Sequence, residues 1–148
     1  MEYISNTIVV KISVSDMERS QLFFTKVIGF RVNKKYTINK GGNFGMESYV
    51  QLDMDTFPEQ AFSLGLYKDL EKPFEPKPQT GTVPSFIVSD IEAALHYLQS
   101  LHVEIDEFDG VIILSNTSDE GYTDRFFFFR DPDNNSFVMR QNMGNTHF

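Results

Sequence analysis

The sequence contains no cysteine. Disulfides, thiolate metal sites and a cysteine nucleophile are therefore excluded together. No apolar run approaches the ~18 residues of a membrane-crossing helix. The opening Met1-Glu2-Tyr3-Ile4-Ser5-Asn6-Thr7 has neither the basic stretch nor the apolar block of a secretory leader. No membrane partner is expected, and the expected location is the cytoplasm. Positive charge is also scarce: 13 Lys and Arg stand against 21 Asp and Glu, a net charge of -8. Phosphate backbones are repelled by such a chain, so nucleic acid is not an expected partner. The acidity serves solubility first and attraction of cationic ligands second. No Ser-His-Asp arrangement, nucleophile elbow, phosphate loop or nucleotide-binding motif is present.

What is present is a folding composition of ordinary domain size. Of the 148 residues 41% are hydrophobic and 15 are Phe, enough for one domain over 1–148 with a core of its own. Its organisation is a repeat. Val14-Ser15-Asp16-Met17-Glu18 returns half a chain later as Val88-Ser89-Asp90-Ile91-Glu92. A strand-like segment precedes each copy, Ile8 to Ser13 and Thr82 to Ile87. The Ser-x-x-Glu of each copy reads as a capping box, so a helix is expected to start at both places. In the second copy Ile91, Ala94, Leu95, Leu98 and Leu101 form one helical stripe. In the first, Met17, Phe23, Phe24, Val27 and Ile28 do so less regularly. Gly29 stands where a left-handed helix end is wanted, and His102 takes that place in the repeat.

Three further strands follow each helix. The first set is Phe30 to Ile38, Glu47 to Met54 and Ala61 to Tyr67, punctuated by Gly41-Gly42-Asn43 and Phe57-Pro58-Glu59. The second is Val103 to Phe108, with an extension through Val111 to Leu114, then Arg125 to Arg130 and Ser136 to Gln141. Asp131-Pro132-Asp133-Asn134-Asn135 supplies the last tight turn. Lys72 to Pro78 is a stiff Pro-rich linker, and the tail from Asn142 is expected to be loosely held. The fold class is therefore α+β, built from two tandem βαβββ modules: module one over about 7–69, a linker over 70–81, and module two over about 82–142.

The two ends of this pattern resemble a known family. Val14-Ser15-Asp16-Met17-Glu18-Arg19-Ser20, followed by Phe23-Phe24 and Val27-Ile28-Gly29-Phe30, resembles the opening of a vicinal oxygen chelate domain. That superfamily includes glyoxalase I, the bleomycin-resistance proteins and dioxygenases. Phe126 to Asn135 resembles its closing signature, with Asn134 in place of the usual Gly. The resemblance covers Thr7 to Gln141. It implies that the modules pair, within one chain or by exchange between two, into a curved mixed sheet with a groove on one face, and a homodimer that binds a small molecule is expected.

Many members hold a divalent metal in that groove through His, Glu or Gln, and substrate oxygens chelate it. Carried over by position, the family's ligands fall on Val9, Gly65, Val83 and Val138. None has a side-chain lone pair to donate. Of the immediate neighbours in either register, only Thr82 carries a side-chain oxygen. The three histidines, His96, His102 and His147, lie on the second helix, at its end and in the tail. They are read as surface residues. No metal and no cofactor is expected.

Alternation along the strands gives the candidate groove lining. It includes Lys11, Ser13, Glu47, Tyr49, Gln51, Tyr67, Ser85 and Arg140, with Val9, Ser63, Ile87, Ser136 and Val138 among them. Lys11 and Arg140 could meet an anionic ligand or pair with Glu47; reaching out to solvent is the plainer expectation. Two of the four residues Phe126 to Phe129 must face the core and two the opposite side. Glu104, Asp106, Glu107 and Asp109 read as a solvated acidic edge. The favoured function is metal-independent binding of a small molecule, sequestering a drug or metabolite. The alternative is a lyase, isomerase or dioxygenase with a non-standard site, Glu47 as base and Tyr49 nearby. An interaction module with a vestigial pocket is a third reading.

Overall fold

A computed structural model describes residues 1–3, 7–54, 62–75 and 79–145, residue 145 by its backbone alone. The chain divides into two compact units, Met1–Phe74 and Glu75–Phe148. The first unit runs β1 (Ile8–Val14), α1 (Met17–Leu22), β2 (Arg31–Ile38), β3 (Tyr49–Asp53) and β4 (Phe62–Lys68). The second runs β5 (Ser85–Ile87), α2 (Ile91–Ser100), β6 (Leu114–Thr117), β7 (Tyr122–Arg130) and β8 (Ser136–Asn145). Each unit holds one four-stranded mixed sheet, in the orders β1-β4-β3-β2 and β5-β8-β7-β6. In each, the first strand lies parallel to the last and the other pairs are antiparallel. Both are the βαβββ arrangement expected from the repeat.

The helices start one residue later than the capping box implies. The caps are Asp16 and Asp90, whose carboxylates accept from the amides of Arg19 and Ala93. A carboxylate at this position satisfies an orphan donor and meets the positive end of the helix at once. Ser15 is left to accept from the Arg19 guanidinium. The uneven periodicity of the first copy also has a cause. After Leu22 the helix widens into a π-helical turn over Phe23–Ile28, which breaks the 3.6-residue repeat. It closes on Gly29 at φ 100, and His102 adopts φ 58 at the matching place in the repeat.

Each helix covers one face of its own sheet. In the first unit Ile12, Val14, Met17, Phe24, Val50, Leu52, Leu64 and Leu66 are buried. In the second, Ile91, Leu95 and Leu98 of α2 are buried, as are Phe86, Phe127, Phe129, Phe137 and Met139 of the sheet. There the aromatic rings stack, with centroids 5.9 Å apart for Phe86–Phe137 and 5.5 Å for Phe129–Phe137. Leu101, expected in the helical stripe, lies past the helix end and is exposed.

Three strand expectations are corrected. The strand expected from Thr82 begins at Ser85, because Pro84 has no amide to donate and joins the ladder only through its carbonyl, which accepts from Val138. Val103 to Phe108 is not a continuous strand. Ile105 bridges to Phe129 alone, and Asp109-Gly110, both at positive φ, turn the chain between Phe108 and Val111. The tail expected to be loose from Asn142 instead extends β8 to Asn145, paired with β7 up to Tyr122. The Phe57-Pro58-Glu59 turn, Ala61, the linker residues 76–78 and His147 lie outside the described residues. No described helix is long and apolar enough to cross a membrane.

Candidate functional site

The side of each sheet that its own helix leaves uncovered carries the candidate residues. In the first unit, strand register sets them in three cross-strand rows: Val9, Ser63, Asp53 and Arg31; Lys11, Gly65, Gln51 and Asn33; Ser13, Tyr67 and Tyr49. Cross-strand partners share a face, so Lys11, Ser13, Tyr49, Gln51 and Tyr67 stand together as the alternation predicts. Ser85 and Arg140 stand on the corresponding face of the second unit, where Ser85 pairs with Val138 and Arg140 with Ile87 and Phe126. Glu47 does not join them. It occupies a turn before β3 at φ 67, exposed, its amide donating to the carbonyl of Lys68. The left-handed backbone there breaks the alternation that Tyr49 begins, so the nominated base is not on the sheet face.

The carboxylate that does lie on this face is Asp53, two residues past Gln51, and sequence reasoning passed over it. Ser63 Oγ donates to its Oδ1 at 2.5 Å, Gln51 Nε2 to the same oxygen at 3.2 Å, and Asn33 Nδ2 to Oδ2 at 2.7 Å. Burial pushes the Asp53 carboxyl up, but these donors and the Arg31 charge outweigh it and hold it below the usual range. An acid so stabilised as its anion is a weak proton acceptor. The Tyr49 hydroxyl donates to Gln51 Oε1 at 3.2 Å, which completes a relay to Asp53. Burial, then the Asp53 charge, raises the Tyr49 phenol above its ordinary value. One further step along the alternation Tyr49, Gln51 would have found Asp53.

The two basic candidates each have a carboxylate partner within their own unit. Lys11 Nζ donates to Ser13 Oγ at 3.0 Å, pairs with Asp69 and lies 5.4 Å from the centroid of the Tyr67 ring. Arg140 pairs with Asp124 at 3.3 Å, and its Nε donates to Asn142 Oδ1 at 2.8 Å. Lys11 does not pair with Glu47. The Phe run splits as alternation demands. Phe127 and Phe129 are buried under α2, while Phe126 and Phe128 are half-buried on the other face, edge to face at 6.0 Å. Asp106, read from sequence as part of a solvated edge, is instead half-buried as the ion-pair partner of the buried Arg130.

The positions implied for a metal hold residues that carry no ligand atom in their side chains. Val9 and Val138 lie on the open faces, Gly65 sits mid-strand in β4, and Val83 precedes β5. Gly65 is roofed by a ring: a Cβ there would stand 2.7 Å from both Cε2 and the hydroxyl oxygen of Tyr49. A ligand side chain at 65 would have to displace Tyr49. Among the described residues, no three His, Asp or Glu side chains converge as a metal site requires, and His96 and His102 are exposed on α2 and just past its end. The residues at positions 9, 65, 83 and 138 do not fit the family's metal.

Residues 6–139 match the family model described as Glyoxalase/Bleomycin resistance protein/Dioxygenase superfamily. No curated protein matches the sequence significantly. Solved structures share the fold across nearly the whole chain. An integron cassette protein from V. cholerae is 23% identical with a TM-score of 0.58, covering 95% of this chain and 98% of its own. TnmS3, an antibiotic binding protein from a Streptomyces species, is 20% identical with a TM-score of 0.61, at 96% and 99% coverage. A glyoxalase/bleomycin resistance protein/dioxygenase from Alicyclobacillus acidocaldarius is 10% identical with a TM-score of 0.62, at 97% and 96% coverage.

Proposed function

The chain belongs to the glyoxalase/bleomycin resistance protein/dioxygenase superfamily, and from that membership we propose that it is a small-molecule-binding protein that holds a drug or metabolite through side chains alone, without a chelated metal ion. The observation that carries the reading is the Tyr49 ring over Gly65. It fills the space a metal-ligating side chain would need and replaces it with a polar relay through Gln51 to Asp53. Around that relay lie Tyr67, Lys11 and Ser13, a mix of aromatic surface and a few polar handles typical of small-molecule sites. The Lys11–Asp69 and Arg140–Asp124 pairs leave each open face nearly neutral locally, which favours an uncharged ligand over the anion that Lys11 and Arg140 suggest from sequence. A neighbour of the same fold described as an antibiotic binding protein is in keeping with a binding role.

The test is metal analysis joined to a ligand screen. Purified protein is loaded with Zn²⁺, Ni²⁺, Mn²⁺ or Fe²⁺, desalted and assayed by mass spectrometry, while its melting temperature is followed with chelator and with a panel of uncharged aromatic compounds. The expected result is metal far below one ion per chain, a melting temperature indifferent to chelator, and a rise with some of the compounds. About one ion per chain, with chelator-sensitive stability, would overturn the reading.

A further inference from the structure

On the open face of the second unit the strands end in a cavity of about 430 Å³ whose lining includes Asn116, Thr117, Tyr122, Asp124, Arg140 and Asn142. The register shift between Thr123 and Asp124, where β7 and β8 fall out of step, lies in its lining; a bulge of this kind sharpens local twist. We propose that this cavity binds an uncharged, polyhydroxylated group, either a sugar or the sugar-like substituent of a larger ligand. The inference rests on the metal-free binding reading and names the ligand chemistry of one of its sites.

Three observations carry it. First, the cavity is charged but balanced. Arg140 and Asp124 stand 3.3 Å apart, so a phosphate or carboxylate would meet Asp124 and an ammonium would meet Arg140, whereas a neutral group is opposed by neither. Second, the polar groups are held in place. Asp124 Oδ1 accepts from the amide of Asn116, Arg140 Nε donates to Asn142 Oδ1, and the hydroxyls of Thr117 and Thr123 bond at 3.0 Å. Planar carboxylate, guanidinium and amide groups together offer both donors and acceptors, and a hydroxyl, being both at once, uses each kind. Third, Tyr122 is 55% exposed beside them, an aromatic surface for the C–H face of a sugar ring.

Full-length ¹⁵N-labelled protein is titrated with methyl glucoside, phenyl glucoside, glucose 6-phosphate and glucosamine, following amide shifts. The two neutral glycosides are expected to shift residues around 116–124 and 140–144. Tyr122→Ala and Asn142→Ala should each weaken them about tenfold, with Asp124→Asn as an isosteric third variant should either of those fail to fold. Tighter binding of the phenyl glycoside assigns the site to a substituent of a larger ligand, and equal binding to a free sugar. Shifts absent with both neutral glycosides, larger with the charged sugars, or unchanged in all three variants would overturn the proposal. The broader reading survives that failure if the screened aromatic compounds still bind elsewhere without metal, and falls only with a stoichiometric metal.

Discussion

Tyr49 lies across Gly65, its cross-strand diagonal neighbour, so closely that residue 65 has no room for even a methyl group while the ring holds its place. This relationship predicts a change of sign. In the wild-type background Gly65→Ala must push the ring aside and break the bond from its hydroxyl to Gln51, at a cost of about 1–2 kcal/mol. In a Tyr49→Ala background the obstacle is gone, and Gly65→Ala should stabilise by about 0.5 kcal/mol, because Ala loses less chain entropy than Gly in a strand. Urea unfolding of the four proteins of this cycle measures both values. Destabilisation of equal size in both backgrounds would show that the ring is not what excludes a side chain.

The sequence carried the repeat of elements because that information is local: strand alternation, a helical stripe and cap residues lie within a few positions of one another. Gly65 shows where local reading stops. Nothing near it in sequence indicates that Tyr49, two strand-lengths away, will cover it, and only the β3–β4 register brings them together. Asp53 was within reach by continuing the alternation past Gln51, but its three donors come from β2, β3 and β4. Asp106 looked like one member of an acidic edge, because its pairing with Arg130 depends on β7 passing beside it. Glu47 was misplaced for a backbone reason: its φ of 67 turns it out of the strand that its spacing suggested.

The helix caps separate two readings of one motif. If Asp90 caps α2, Asp90→Ala should cost about 1 kcal/mol and Ser89→Ala less than about 0.5 kcal/mol. A capping box starting at Ser89 requires the reverse order. The bond from the Ala93 amide to Asp90 Oδ1 at 3.0 Å favours Asp90. Thermal unfolding of the two variants decides, and a larger loss from Ser89→Ala would reinstate the box.

The ion pairs differ in depth, and their worth should follow. The side chains of Arg130 and Asp106 are 1% and 9% exposed, and Arg130 also donates to the carbonyl of Asn134. Arg130→Met removes the guanidinium from a largely enclosed Asp106 carboxylate, to which Gln79 Nε2 still donates, and the expected loss is about 3 kcal/mol. Lys11 is 55% exposed in its pair with Asp69, so Lys11→Met should cost less than about 1 kcal/mol. Denaturant midpoints at low and high salt test the contrast, since only the exposed pair should weaken with salt. Losses of similar size would mean that the Gln79 amide, which already donates to Asp106 Oδ2 at 3.0 Å, suffices for the carboxylate once Arg130 is gone.

Asp131 sets a pH dependence of unusual sign. It is 4% exposed at the start of the turn between β7 and β8. Its Oδ1 accepts from the amides of Asp133 and Asn135, and its Oδ2 from the Asn135 side chain. Burial, aided by the charge of Asp133, outweighs these donors and pushes the carboxyl up to about 7 from 3.8. Between those values the unfolded chain has released the proton and the folded chain keeps it. The unfolded state then binds fewer protons, so this group's contribution to stability is fully present below about pH 4 and is lost as pH rises toward 7. The expected slope approaches 1.4 kcal/mol per pH unit in the middle of that window. Asp131→Asn keeps an acceptor oxygen for the two backbone amides and cannot ionise, so the wild type should lose stability relative to it as pH rises from 4 to 7. Urea midpoints of both proteins across that range give the difference directly. Parallel profiles would mean that the turn is closed by an ionised carboxylate throughout, with its three N–H donors outweighing its burial.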